Sequence, residues 1–167
     1  HIVECGPAAG AIGAEYIARA AGFKNVLTLD MGGTTAKASI IEGGVFSLAD
    51  EYEVGGGMSS SSALVGKGGY ALKLPVIDIA EVGAGGGSLA WLDGAGSLKI
   101  GPESAGANPG PACYSQGNEN PTVTDANLVL GYLNPEALAA GTVPINKKLA
   151  EQAIQKNIAK PMKLGLM

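Results

Sequence analysis

The stretch Asp30, Met31, Gly32, Gly33, Thr34 and Thr35 has the clearest chemical character in the chain. The carboxylate ends an apolar run from Val26 to Leu29 and precedes two glycines and two hydroxyl residues. Paired glycines let a turn curl until successive backbone N–H groups point into one concavity, which suits the oxygens of a phosphate. Thr34 and Thr35 add hydroxyl donors. Asp30 is placed to hold a magnesium ion through its waters, or to orient a water for in-line attack on phosphorus. Asp30 is therefore the candidate catalytic residue and metal ligand, and the N–H groups of Gly32, Gly33 and Thr34 are expected on the phosphates. A plain β-hairpin with Asp30 in its turn uses the same residues. A Walker-type loop is excluded, because no glycine-rich segment here ends in Gly-Lys-Ser or Gly-Lys-Thr.

A second glycine cluster, Glu81-Val82-Gly83-Ala84-Gly85-Gly86-Gly87-Ser88, also follows an apolar run. Gly85, Gly86, Gly87 and Ser88 make a stretch of nearly bare backbone on which a flat ring or a ribose can lie. Tight turns and bulges draw on the same composition. Ligands of open sheets gather at the C-terminal ends of strands, so two glycine clusters at such ends support each other.

The remaining polar residues offer less. Cys113 has no partner to activate it as a nucleophile, since His1 is the sole histidine of the chain. The same scarcity argues against a histidine metal site and against a Ser-His-Asp triad within these residues. Asp78 reads as a strand-edge charge and Asp125 as a helix N-cap. Lys67 reads as a solvated loop lysine within reach of a phosphate, and Trp91 as a core or interface aromatic. Glu103 and Asn108 lie in a proline-rich loop, where they shape backbone or meet substrate.

These residues need positioning elements. A small-residue helix is expected from Pro7 to Ala21, stopped by Gly22. Val26 to Leu29 reads as a short buried strand. The next strand places Ala36, Ala38 and Ile40 on one face and Lys37, Ser39 and Ile41 on the other. Gly43-Gly44 turns it into a third strand, Val45 to Glu53. Gly55 to Tyr70 reads as a loop, and Val76 to Val82 as a strand. A hairpin follows, Leu89 to Leu92 and Leu98 to Ile100, and then the loop from Gly101 to Cys113. Thr124 or Asp125 is expected to cap a helix that runs to Tyr132 and closes at Asn134-Pro135. A last amphipathic helix begins near Asn146, with Leu149, Ala153, Ile154 and Ile158 as its stripe.

Composition narrows the class. Charged residues make up 16% of the 167, too few for a coiled coil or a disordered acidic tail. The 27 glycines cluster without a three-residue period, which excludes collagen. No apolar run approaches the roughly 20 residues of a membrane span. A net charge of -4 with Arg19 as the sole arginine disfavours nucleic acid, and leaves any phosphate to backbone amides, hydroxyls, lysines or a metal. Cys5 and Cys113 form no CxxC pair, so a reduced, cytoplasmic chain is the simplest expectation. His1 in place of Met and the break after Leu166-Met167 suggest a piece of a longer polypeptide.

At the level of whole motifs, the chain resembles the hydantoinase A/oxoprolinase family. The matching segments are DMGGTTAKASI at Asp30 to Ile40, EVGAGGGSLAW at Glu81 to Trp91, GPESAGANPGPACY at Gly101 to Tyr114 and PTVTDANLVLGYLNP at Pro121 to Pro135. CGPAAGAIGA at Cys5 to Ala14 is similar to the segment before the family's phosphate turn. The resemblance implies an α/β fold: an RNase H-like lobe of the actin-like ATPase type, a mixed sheet with packed helices, comprising the whole of residues 1–167. In that reading Asp30 to Thr35 is the second phosphate turn and Gly83 to Ser88 the adenosine-side loop. The helices at Pro7 and Asp125 become the two connecting helices. It further implies ATP and Mg2+ as cofactors and a cyclic amide such as a hydantoin or 5-oxoproline as substrate. A first lobe from the same chain and a hydantoinase B-type subunit or domain are the implied partners. An ATP-dependent cyclic amidohydrolase, inactive as an isolated lobe, is the leading expectation. An acetone or acetophenone carboxylase-type ligase is the alternative, and a non-catalytic ATP switch or a domain without nucleotide are the others.

Overall fold

The computed structural model of the chain describes residues 5–50, 52–54, 70–73, 75–136, 141 and 143–165. Its contacts cluster into two units, His1–Met31 with Ala36–Val82, and Gly32–Thr35 with Gly83–Met167.

The first unit opens with helix α1 (Cys5–Ala20). The helix ends where expected. Gly22 takes φ +85°, Phe23 N–H donates to Ala18 O at 2.9 Å and Gly22 N–H to Arg19 O at 3.1 Å, the paired bonds of a Schellman stop. Strands β1 (Val26–Met31) and β2 (Ala36–Glu42) pair antiparallel, with Leu29 opposite Ala38 and Asp30 opposite Lys37. Gly43 and Gly44, at φ +61° and +81°, close the two-residue turn into β3 (Val45–Phe46), as a primed hairpin turn requires.

The single strand expected from Val45 to Glu53 is instead three, β3, β4 (Leu48–Ala49) and β5 (Tyr52–Val54). Each has its own partner: β3 pairs with β2, β5 with β6 (Tyr70–Leu72), and β4 with β7 (Val76–Ile77). The expected strand from Val76 to Val82 divides likewise into β7 and β8 (Ala80–Val82), which joins β2. Residues 55–69 of the expected loop, Lys67 among them, lie outside the described residues. Every strand pairing among the described residues is antiparallel, which corrects the expected mixed sheet. Short turns enforce this for β1–β2, β2–β3 and the hairpin of residues 88–104, since parallel neighbours need a long crossover.

The buried strand expected at Val26 to Leu29 is also corrected. Leu27 and Leu29 are 71% and 76% exposed, and Ile40, beside them on β2, is 52% exposed. Alternation explains the split. On the opposite face of the pair, Ser39 and Ile41 are buried, and Thr28 Oγ1 meets Ser39 Oγ at 2.6 Å. Helix α1 packs on that same face, since a Cβ at Gly10 would stand 3.8 Å from Asp30 Oδ2.

In the second unit, β9 (Ser88–Leu92) and β10 (Leu98–Ser104) form the expected hairpin, but β10 runs on through residues 101–104, which puts Glu103 in a strand rather than in the expected loop. Cys113, in a 3-10 turn at Ala112–Tyr114, packs with Leu128 and Val129 of α2 (Val123–Val129) and Ala150 of α3 (Lys147–Ile154). The cap of α2 is Thr122, not Thr124 or Asp125. The Thr122 hydroxyl accepts from Asp125 N–H while the Asp125 carboxylate accepts from Thr122 N–H, a reciprocal capping box. Helix α2 stops before Tyr132. Gly131 at φ +81° closes it, with Tyr132 N–H donating to Asn127 O at 2.9 Å. Asn146 caps α3 as expected, and a π-helical turn, Gln155–Ala159, extends it. Among the described residues no helix is long and apolar enough to cross a membrane.

Candidate functional site

The turn Gly32–Thr35 and the glycine loop after β8 belong to the second unit, and they touch backbone to backbone. A Cβ on Gly85 would stand 2.5 Å from Thr34 C and N and 2.6 Å from Gly33 C. Gly85, Gly86 and Gly87 are absent from the positive-φ residues, so close approach rather than left-handed backbone is what glycine supplies here.

Three successive carbonyls of the turn bond to that loop. Gly86 N–H donates to Gly32 O at 2.8 Å, and Gly87 N–H to Gly33 O at 2.6 Å. The hydroxyl of Ser88, a fully buried residue, accepts from Gly85 N–H at 2.8 Å and donates to Thr34 O at 3.5 Å. In a planar trans peptide the N–H points opposite to the C=O. With the carbonyls of Gly32, Gly33 and Thr34 held by the loop, the N–H groups of Gly33, Thr34 and Thr35 are directed away from it. None of the three has an acceptor among the described residues, and Gly33 and Thr34 are exposed. Three consecutive unpaired donors form an array suited to an anion's oxygens.

This arrangement corrects the expected donor set by one residue. Gly32 N–H is not available, because it donates to Thr35 O at 2.9 Å and closes the turn. Thr35 N–H takes its place. The loop amides are also committed: those of Gly85, Gly86 and Gly87 as above, and Ser88 N–H to Gly85 O at 3.0 Å. Gly85 to Ser88 therefore support the turn with their polar groups, and with Gly85, Gly87 and Ser88 buried and Gly86 half-buried they do not form the open ligand surface expected of them.

Asp30 lies in the first unit, on β1 and exposed. No hydrogen bond or ion pair engages its carboxylate among the described residues. Its cross-strand neighbour Lys37 pairs with Glu81 at 3.6 Å. No group of three or more His, Cys, Asp or Glu is gathered for a metal among the described residues. That leaves Asp30 as a single hard oxygen ligand of the kind magnesium accepts beside waters and phosphates. Arg19, the sole arginine, sits on α1 beside Glu15 at 3.4 Å.

Thr124 and Asp125, expected only as cap candidates, have supporting bonds that the sequence did not indicate. Thr124 Oγ1 donates to Gly86 O at 2.8 Å. Asp125 is fully buried and accepts four hydrogen bonds, from Ala112 N–H (3.1 Å), Cys113 N–H (2.8 Å), Thr122 N–H (2.8 Å) and the Thr122 hydroxyl (2.8 Å). The Thr-x-x-Asp spacing from Thr122 was the available signal for the cap. Nothing local pointed Asp125 at residues 112 and 113. Trp91, expected in a core or interface, is 45% exposed, with its indole N–H on Gly101 O at 2.9 Å.

Cys113 is fully buried. Burial, assisted by the negative charge of Asp125, raises its thiol from 9.0 to about 12. At pH 8 iodoacetamide is expected to label the exposed Cys5 and spare Cys113 in the folded protein, as read by peptide mass spectrometry. Because the folded thiol titrates above the unfolded one, its stabilisation is fully present below pH 9. It is lost at about 1.4 kcal/mol per pH unit between pH 9 and about 12, a slope that Cys113→Ala should remove from an alkaline unfolding series.

The sequence profile of the Hydantoinase/oxoprolinase family matches residues 1–167. The chain is 40% identical over 166 residues to the caprolactamase subunit alpha of Pseudomonas jessenii, covering 99% of this chain and 22% of that one. It is 40% identical over 158 residues to the acetophenone carboxylase gamma subunit of Aromatoleum aromaticum, covering 94% and 20%. The crystal structure of the ATP-dependent caprolactamase from Pseudomonas jessenii superimposes with a TM-score of 0.71 at 42% identity, over 92% of this chain and 20% of that one. The chain thus spans about a fifth of the length of these relatives.

Proposed function

This chain belongs to the hydantoinase/oxoprolinase family, and on that premise we propose that it supplies the second nucleotide-binding lobe, of the RNase H-like actin type, to an ATP-dependent hydrolase of cyclic amides. The carrying observation is the array of outward N–H groups on Gly33, Thr34 and Thr35, fixed by the carbonyls behind them. An ATP-using relative at 42% identity supports the nucleotide. The amides of the array, with the Thr34 and Thr35 hydroxyls, bind the β- and γ-phosphate oxygens. They favour the charge that gathers there during transfer without reorganising at that moment. Asp30, two residues before the turn in the chain, holds the magnesium ion through its water shell. Bound ATP supplies a phosphoryl group to the ring carbonyl oxygen, which overcomes the amide resonance that resists opening. A hydantoinase B-type partner and the remainder of the polypeptide complete the ring-opening site.

The test is calorimetry with MgATP on the complete protein, followed by product analysis with hydantoin, 5-oxoproline and caprolactam. Binding that Asp30→Asn weakens about tenfold or more is expected, with a ring-opened acid formed alongside ADP and phosphate. No binding at millimolar MgATP sinks the reading. The acetophenone carboxylase relative, equal in identity to the caprolactamase one, supports a second reading, in which the same lobe serves a carboxylase. A carboxylated ketone as the product, with no ring opening, selects it.

A further inference from the structure

Thr124 is the second residue of α2, yet its hydroxyl takes no part in the cap, which Thr122 and Asp125 complete without it. Thr124 Oγ1 and Thr124 N–H both donate to Gly86 O, each at 2.8 Å. Gly86 C=O and Gly87 N–H are opposite edges of one planar peptide, so a grip on the oxygen aims the N–H. That N–H meets Gly33 O at 2.6 Å, the shortest of the bonds between loop and turn. Gly33 C=O in turn shares its peptide with Thr34 N–H, the middle donor of the outward array. Each carbonyl that accepts a hydrogen bond polarises its own peptide and strengthens the N–H at the far edge, and the effect accumulates along a bonded series. The series starts from a doubled donor at Gly86 O and ends on the Thr34 amide.

We propose that Thr124 is a positioning residue of the phosphate turn: through the 86–87 and 33–34 peptides it aims and strengthens the Thr34 N–H that meets the transferred phosphoryl group. The proposal rests on the nucleotide reading of the turn given above. Thr124 acts through these peptides, since the one hydrogen its hydroxyl can donate is committed to Gly86 O. Its place in the fold supports a directed role. All of the participating residues lie in one unit, and a Cβ at Gly86 would come within 3.0 Å of the Thr124 hydroxyl, so the loop is closed onto this side chain.

The test uses the complete protein with its partner subunit, and compares Thr124→Val, which keeps the shape and loses the donor, with Thr124→Ser, which keeps the donor. Steady-state kinetics are measured against MgATP at saturating amide and against amide at saturating MgATP. Thermal midpoints are recorded for each variant. The expected result is a loss of about tenfold in kcat/KM for MgATP in Thr124→Val, with the amide KM within about twofold of the parent. Thr124→Ser is expected to retain both constants within about twofold. If Thr124→Val is not recovered folded, Thr124→Ala is measured in its place. An unchanged kcat/KM for MgATP in the donor-free variant overturns the proposal, as does an equal loss in Thr124→Ser. A parent protein that neither binds nor turns over MgATP overturns the nucleotide reading itself and the proposal with it, an outcome separate from the other two.

Discussion

Gly85→Ala is expected to lower the stability of the protein by about 3 kcal/mol and to abolish MgATP binding at the same time. The added methyl group would stand 2.5 Å from Thr34 C and N, and 2.6 Å from Gly33 C. Those are backbone atoms, so no side-chain rotamer relieves the clash. Either the loop or the turn has to withdraw, and withdrawal breaks the bonds to the carbonyls of Gly32 and Gly33. Their amides then lose their fixed direction. Gly33→Ala is the matched control, since a Cβ at Gly33 meets nothing within 4 Å. It is expected to change stability by no more than about 0.5 kcal/mol while weakening MgATP binding, because its methyl group occupies space beside the outward donors. Denaturant unfolding and calorimetry on both variants separate the two effects. A stable, nucleotide-binding Gly85→Ala protein would show that the loop is not pressed on the turn in solution.

Asp125→Asn is the second large effect, about 3–5 kcal/mol in destabilisation. The carboxylate is fully buried and presents acceptors only, three hydrogen bonds converging on Oδ2 and one on Oδ1. An asparagine keeps one oxygen. Its amide nitrogen must then face either Cys113 N–H or the Thr122 and Ala112 donors, a donor-against-donor contact in a dry site. The consequence extends past the cap. Asp125 ties the 3-10 turn at Ala112 and Cys113 to the start of α2, where Thr124 grips the glycine loop. A fall of the thermal midpoint on the order of 10 °C is expected, with faster alkylation of Cys113 as the turn loosens. A wild-type midpoint in Asp125→Asn would mean that the four bonds contribute little beyond what water provides.

Local patterns in the chain carried a large share of the fold. Gly22 after a small-residue run, the Gly43-Gly44 pair and Asn146 before an apolar stripe each act within a few residues, through φ > 0 or a capping bond, and each ended or began its element as read. The misreadings share one cause. Val45 to Glu53 forms three strands because its partners change along its length, and Leu27 and Leu29 are exposed because α1 lies on the other face of the sheet. Partners and faces are properties of the assembled chain, and periodicity does not state them. Thr124 against Thr122 as the cap of α2 is subtler. Both are threonines of one short segment, and only the Gly86 carbonyl arriving from 38 residues away shows which hydroxyl is spare.

The site divides along the same line. Read as sequence, Asp30-Met31-Gly32-Gly33-Thr34-Thr35 stands out as a candidate phosphate turn, with a carboxylate, two glycines and two hydroxyls that a plain hairpin turn also uses. With Arg19 the sole arginine, the composition leaves any phosphate to amides, hydroxyls, lysines or a metal. Which amides of that turn stand open is a property of the fold. The direction of an N–H is set by the bond its peptide's carbonyl makes, and the carbonyls of Gly32, Gly33 and Thr34 bond to residues 86 to 88, more than fifty positions along the chain. That long-range pairing turns the N–H groups of Gly33, Thr34 and Thr35 outward and closes Gly32 N–H inward. It also makes the second glycine cluster the support of the first rather than a separate ligand surface.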